Sequence, residues 1–85
     1  MTMEQIDFFL MTVRCDTFLE AAENLHIAQS TLSKQIQKLE SELNLTLFDR
    51  TRRQAVLTPA GELFCQEASE LSRQYHQMLQ KNAPL

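Results

Sequence analysis

The residues of this chain best suited to molecular recognition form a polar group on one face of a predicted helix. Their amide, hydroxyl and ammonium groups can bond to the edges of DNA bases, and the lysine can also contact a phosphate. Their spacing places them opposite the apolar stripe of the same helix. A merely solvated helix face has a similar composition, so the group alone leaves both readings open. Its members are Gln29, Ser30, Ser33, Lys34 and Gln37.

Two short amphipathic helices joined by a tight turn are predicted to position this face. In the first, over about residues 18–25, apolar side chains recur at intervals of three and four. The second covers about residues 29–43, and Leu32 and Ile36 begin its apolar stripe. His26 lies in the turn, where histidine tolerates positive φ better than most residues. A helix–turn–helix that lays its second helix in the DNA major groove needs this arrangement.

Helix-start signals define the elements before the turn. Thr2 followed by Gln5 is a capping-box pattern, which predicts a first helix over about residues 3–14. Thr17 followed by Glu20 repeats the pattern before the second helix. The Thr17 hydroxyl, at a helix start, is also a candidate contact for a DNA phosphate.

Two short β-leaning runs follow the polar helix, over residues 46–50 and 54–58. Together they predict a small hairpin, or wing, with Arg52 and Arg53 at its charged tip. Such an arginine pair often serves only solubility. After a recognition-type helix, contact with phosphates or the minor groove is the better interpretation.

A long helix is predicted from Pro59 to about Gln80, with Thr58 as its N-cap. Its apolar residues alternate at intervals of four and three, which is a heptad seam suited to packing along another helix. We expect the seam to form a homodimer, and the alternative is that the helix folds back on its own domain. The tail, residues 81–85, breaks the pattern and is expected to fray. The seam residues are Phe64, Ala68, Leu71, Tyr75 and Met78.

The composition indicates one small, mainly helical domain. Its 85 residues are 44% hydrophobic and include one glycine and two prolines. The net charge of −3 argues against a nucleic-acid partner until its distribution is considered. Residues 29–53 carry five basic and three acidic side chains, or +2, whereas the remainder carries three basic and eight acidic ones, or −5. DNA responds to the local patch, because salt screens charges beyond about 8–10 Å.

Other classes of protein find little support in the sequence. No metal-ligand spacing, phosphate-binding glycine loop or nucleophile motif occurs, and His26 and His76 are the only neutral-pH bases, so we expect no enzyme, metal or cofactor. Cys15 and Cys65 are interpreted as two buried, reduced thiols. The sequence has neither a signal peptide nor an apolar run long enough to cross a membrane, so a cytoplasmic location is expected.

Three segments in order, AAENLHIAQSTLSKQIQKLE, LFDR and LTPAG, resemble the N-terminal DNA-binding domain of LysR-type transcriptional regulators. The resemblance covers essentially the whole chain. It implies a mainly α winged helix–turn–helix at residues 1–58, with the helix pair at about 18–37 and the wing at about 46–58. A linker helix at residues 59–85 would form the dimer.

The resemblance also implies roles for individual residues. Gln29, Ser30, Ser33 and Lys34 match positions that face bases, and Arg52 and Arg53 match the wing contacts. Arg50 is expected to pair with Glu40 or Glu42 instead of DNA. The sequence departs from the family at Ala28, Ser30 and Asn44, where serine or threonine, proline and glycine are usual. We expect further backbone contacts from Thr17, Thr31 and Lys38.

The expected function is therefore sequence-specific binding of a homodimer to an interrupted palindrome in double-stranded DNA. Full-length members carry an effector domain, which we expect to be absent from this chain, so we expect this segment to bind no small-molecule inducer. The alternative function is a winged-helix interaction module that captures full-length regulators in inactive heterodimers.

Overall fold

The computed structural model describes residues 1–81 and contains four α-helices and one small β-hairpin. Three helices precede the hairpin and a long helix follows it, as the sequence predicts. The predicted behaviour of residues 82–85 lies outside the described residues. The elements are α1 (Met3–Arg14), α2 (Phe18–Leu25), α3 (Gln29–Leu43), β1 (Phe48–Asp49), β2 (Val56–Leu57) and α4 (Pro59–Lys81).

Local capping explains why the first two helices begin where they do. The Thr2 hydroxyl accepts the Gln5 N–H at 3.1 Å, and the Gln5 side chain accepts the Thr2 N–H at 3.0 Å, which completes the predicted capping box. Thr17 likewise accepts the Glu20 N–H at 3.1 Å. The Glu20 carboxylate, however, accepts the Asp16 N–H at 3.3 Å. The reciprocal half of the second predicted box is therefore replaced by a bond one residue earlier.

Two residues in the left-handed conformation end α2 and α3. His26 has φ 58° and ψ 40°, and Asn44 has φ 55° and ψ 41°. Their N–H groups bond back to carbonyls of the preceding turn, which terminates each helix. Both residues therefore adopt the left-handed helix-ending conformation that glycine often adopts, as the sequence predicts for His26 and Asn44.

The wing is shorter than the two runs predicted for it. Its strands pair antiparallel over two residues each, Phe48 with Leu57 and Asp49 with Val56. The backbone beside the strands bonds elsewhere in the chain: the Ala55 N–H donates to the Asp16 carbonyl at 2.8 Å and so cannot pair across the hairpin. The ladder is consequently limited to the base of the hairpin.

α4 begins against the wing and then packs on α1. The Thr58 hydroxyl accepts the Gly61 N–H at 3.0 Å, which is an N-cap bond. Beyond the cap, Phe64 contacts Phe9 edge-on at 5.1 Å between ring centroids, and Ala68 is 2% exposed. The first half of α4 thus belongs to the same core as the helix–turn–helix, while the molecule as a whole is elongated at 48 × 26 × 20 Å.

Candidate nucleic-acid interface

α3 presents the polar face that the sequence predicts. Gln29, Ser30, Lys34 and Gln37 are exposed and Ser33 is half-buried. The opposite side of the helix is fixed in the core, since its apolar residues Leu32, Ile36 and Leu39 are fully buried.

The start of α3 lacks a side-chain cap. Ala28, with φ −69° and ψ 145°, occupies the N-cap position and makes no side-chain cap hydrogen bond. The N–H groups of the first turn carry the partial positive charge of the helix start. This end of α3 therefore favours a negatively charged group, and Thr31 lies exposed there as well.

The wing tip is organised by one carboxylate. Asp49 accepts the Thr51 N–H at 2.9 Å and the Thr51 hydroxyl at 2.5 Å, and Arg52 lies 3.5 Å from its other oxygen. The hydrogen bonds from Thr51, with a smaller contribution from Arg52, lower the pKa of Asp49. These contacts hold the turn, while Arg52 and Arg53 remain exposed at the tip.

An open cleft of about 410 Å³ lies between α2, the start of α3 and the wing. It brings five of the predicted DNA-contacting residues together, although they come from three separate stretches of sequence. The Thr17 oxygen already accepts the Glu20 N–H, but its O–H can still donate to a phosphate. The five residues are Thr17, Gln29, Ser33, Arg52 and Arg53.

The other predicted contacts lie outside this cleft. Lys34, Gln37 and Lys38 border a second, shallower depression farther along α3. Ser30 and Thr31 are exposed on the first turn of α3 and line neither depression. The predicted base-contacting face thus continues along the helix past the wing.

Leu19 and Arg50 also line the cleft, although neither belongs to the site predicted from sequence. Leu19 lies outside the apolar stripe of α2, which is the sequence signal that could have identified it, and its side chain is 54% exposed in the structure. Arg50 is bonded to Glu40 at 3.0 Å, as the sequence suggests, while Glu42 pairs with the N-terminal ammonium.

The predicted dimer seam on α4 is divided between two environments. Phe64 and Ala68 pack on the chain's own core, in agreement with the fold-back alternative for this part of the helix. Leu71 and Met78 are 41% and 55% exposed, and Tyr75 is half-buried beside His76. Leu63, which borders the predicted seam, is 67% exposed, more than any other large apolar residue among residues 1–81.

Other chemistry has little structural basis within residues 1–81. No group of three or more histidine, cysteine or acidic side chains there is arranged to hold a metal ion. The His76 ring bonds to the Ser72 carbonyl oxygen at 2.7 Å on the surface of α4. None of the described helices combines the length and apolar character that a membrane span requires.

The three helices, the wing and the polar face of α3 define a winged helix–turn–helix protein. Residues 3–62 match the model of the bacterial regulatory helix-turn-helix proteins of the lysR family. Because this match covers well over half of the sequence, the chain belongs to the lysR family.

Curated transcriptional regulators are similar to this chain in sequence. The chain is 41% identical over 81 residues to the uncharacterized HTH-type transcriptional regulator YcgK of Bacillus subtilis, covering 95% of the chain and 25% of that protein. It is 39% identical over 79 residues to the HTH-type transcriptional regulator BenM of Acinetobacter baylyi, covering 93% of the chain and 26% of that protein. The chain thus spans about a quarter of the length of these curated relatives.

A solved structure of the BenM DNA-binding domain in complex with catB site 1 DNA superimposes on this fold with a TM-score of 0.90. The two chains are 39% identical, and the match covers 94% of this chain and 86% of that one. The arrangement of helices and wing described above is therefore one that exists on DNA in a relative.

Proposed function

We propose that this chain binds double-stranded DNA sequence-specifically as a homodimer and thereby regulates transcription. The observation that carries the proposal is the cleft, in which Gln29 and Ser33 of α3 face the wing arginines Arg52 and Arg53. An exposed polar helix face beside a basic loop suits a major groove flanked by phosphates. The likeness to a BenM domain solved in complex with DNA supports the same proposal.

Base reading and backbone binding are assigned to different residues in this proposal. The side chains on the exposed face of α3 select bases, whereas those at the start of α2, on the side of α3 and at the wing tip bind phosphates. Residues 1–58 thus contact the DNA, and the protein acts in the cytoplasm as a regulator and not as an enzyme. The base-reading residues are Gln29, Ser30, Ser33, Lys34 and Gln37, and the backbone residues are Thr17, Thr31, Lys38, Arg52 and Arg53.

Dimerisation is assigned to the exposed apolar side of α4. Leu63, Leu71 and Met78 recur there at intervals of eight and seven, and each is at least 41% exposed. A partner helix would remove these side chains from water and would also cover the exposed part of Tyr75. Two-fold symmetry then requires two half-sites separated by whole turns of the duplex, which is an interrupted palindrome.

The experiment that tests the proposal is selection from a random duplex pool with the purified chain at moderate salt. We expect enrichment of a spaced palindrome. Retention of DNA without enrichment would contradict base reading, and no retention would favour the interaction-module alternative.

Lys34→Ala and Arg53→Ala, tested on the selected site, separate the two kinds of contact. We expect Lys34→Ala to cost about 1–3 kcal/mol and to relax specificity, because it removes a side chain that bonds to a base edge. Arg53→Ala should weaken binding to all sequences alike. Fluorescence anisotropy on cognate and scrambled duplexes distinguishes these outcomes, and equal effects on both duplexes from both variants would contradict the assignment.

A further inference from the structure

Glu40, in the last turn of α3, bonds to the backbone that leads into the wing. Its Oε2 atom accepts the Leu47 N–H at 2.7 Å and the Phe48 N–H at 3.3 Å. Leu47 and Phe48 are themselves fully buried, and the Glu40 side chain is only 14% exposed. A carboxylate bonded to two successive backbone donors fixes the direction of that backbone firmly.

The other oxygen of Glu40 holds Arg50, the residue just before the wing tip. Arg50 donates from Nη2 to Glu40 Oε1 at 3.0 Å, and its guanidinium carbon lies 4.8 Å from the centre of the Phe18 ring. Phe18 in turn packs edge-on against Phe48 at 5.1 Å. Arg50 is therefore held between α3 and α2, where a planar guanidinium can both bond and stack.

The wing tip starts directly after this fixed arginine. Asp49 determines the internal shape of the tip through its bonds to Thr51 and Arg52, but none of those bonds connects the tip to α3. Glu40 and Arg50 supply that connection. The two walls of the cleft, one on α3 and one on the wing, are thus joined through this ion pair.

We infer that the Glu40–Arg50 pair is a positioning device that sets where Arg52 and Arg53 stand relative to the base-reading face of α3. The inference rests on the proposed DNA binding and assigns neither Glu40 nor Arg50 a contact with bases. It predicts that the wing arginines contribute to affinity only while the pair is intact.

The competing account makes Arg50 a direct phosphate ligand, since its side chain is 39% exposed and lines the cleft. The two accounts predict opposite changes in DNA affinity for Glu40→Gln. Removing a negative charge beside a phosphate-binding arginine would leave binding unchanged or tighten it. Removing a positioning bond weakens binding, although the variant is less acidic.

The test measures binding to the selected duplex over a range of salt concentrations for Glu40→Gln and for Glu42→Gln, its matched control. Glu42 is exposed on the same helix and pairs with the N-terminal ammonium, so both variants change the charge equally. We expect Glu42→Gln to bind at least as tightly as the parent. Glu40→Gln should bind more weakly, with a salt slope lower by about one unit for each wing arginine that no longer reaches a phosphate.

Combination with Arg53→Ala shows whether the effect passes through the wing. In the parent, Arg53→Ala should lower the salt slope by about one unit. In the Glu40→Gln background it should lower the slope no further. An equal effect of Arg53→Ala in both backgrounds, or tighter binding by Glu40→Gln, overturns the inference.

Two further measurements keep the test independent of folding and of DNA binding. Arg50→Lys retains the charge but removes the planar stack on Phe18, and it replaces Glu40→Gln if that variant does not fold. In the Arg50→Lys background, Arg53→Ala should change the salt slope less than it does in the parent. Backbone NMR order parameters of residues 51–54 in the free protein should fall in both variants and stay unchanged in Glu42→Gln. Unchanged order at the tip overturns the positioning role, whereas a parent that binds no DNA contradicts the proposed function alone.

Discussion

Gly61 is the only glycine in the chain, and it lies where α4 packs against Leu47 and Leu57 of the wing. A Cβ atom at this position would stand 2.1 Å from the Leu47 carbonyl oxygen. That oxygen belongs to the backbone and accepts the Thr58 N–H at 2.9 Å, so it cannot withdraw without breaking the bond. The absence of a side chain is therefore what lets α4 approach the wing.

Gly61→Ala should destabilise the protein even though alanine is the better helix former. Helix propensity favours the change by about 1 kcal/mol, while forcing extra volume into a packed region typically costs about 1–3 kcal/mol. Because this clash is with backbone, we expect a net loss of about 1–2 kcal/mol, measured by urea denaturation. Glu62→Ala, an exposed neighbour, is the control, and equal stability of the two variants would show that the close approach relaxes.

Single residues with local roles were predictable from sequence, and those with distant partners were not. His26 and Asn44 end helices through their own backbone conformation, which their residue types indicate. The need for Gly61 arises from Leu47, fourteen positions away in the sequence, and only the tertiary structure brings the two together. The bonds of Glu40 to the Leu47 and Phe48 N–H groups are of the same kind.

At the scale of elements, α3 is the helix with the least support at its start. α1 and α2 have threonine caps that accept backbone N–H groups, whereas Ala28 offers no acceptor before α3. The first turn of α3 is therefore held by the helix itself and by the buried Leu32.

Ala28→Ser should stabilise the protein by about 1 kcal/mol by supplying the missing cap. The backbone at Ala28 is already extended, as a capping residue requires. For a domain of this size the gain corresponds to a rise in melting temperature of about 4–8 °C. Circular dichroism measures it, and Ala28→Val, which adds volume without an acceptor, should give no such rise. A serine variant that melts with the parent would contradict the capping argument.

The elements themselves followed closely from the sequence, with one systematic exception. Helix boundaries depend on signals within a few residues, here the threonine caps before α1 and α2 and the left-handed residues His26 and Asn44 after α2 and α3. The predicted limits of α1, α2 and α3 therefore agree with the observed ones. The strands were predicted too long, because their ends are governed by bonds to Asp16 and Glu40 in other parts of the chain. Alternation alone carries no information about such bonds.

At the scale of the whole molecule, α4 belongs to the core at one end and projects from it at the other. The heptad spacing predicted one continuous seam, but periodicity identifies only a helix face and not what covers it. The structure packs Phe64 and Ala68 on the core and leaves Leu71 and Met78 exposed. The proposed dimer interface is accordingly centred nearer the exposed residues than the sequence suggests.

Leu71→Glu should dissociate the proposed dimer, because it places a charge among apolar side chains that a partner helix would bury. Ser69→Glu adds the same charge about 200° around the helix and should leave the dimer intact. Sedimentation equilibrium measures both. A Leu71→Glu variant with the molecular mass of the parent would contradict the interface, and DNA affinity should fall together with dimerisation.

Because Ala68 and Phe64 pack against the core, α4 and the helix–turn–helix should move as one rigid unit. The 23 residues of α4 extend about 34 Å, and the first half of this helix cannot move independently of the helix–turn–helix. A tilt of about 10° at the projecting end would displace the opposite end by about 6 Å, roughly one helical turn. In the proposed dimer, the distance between the α3 faces of the two subunits would then depend on the angle at which the projecting ends of α4 pair.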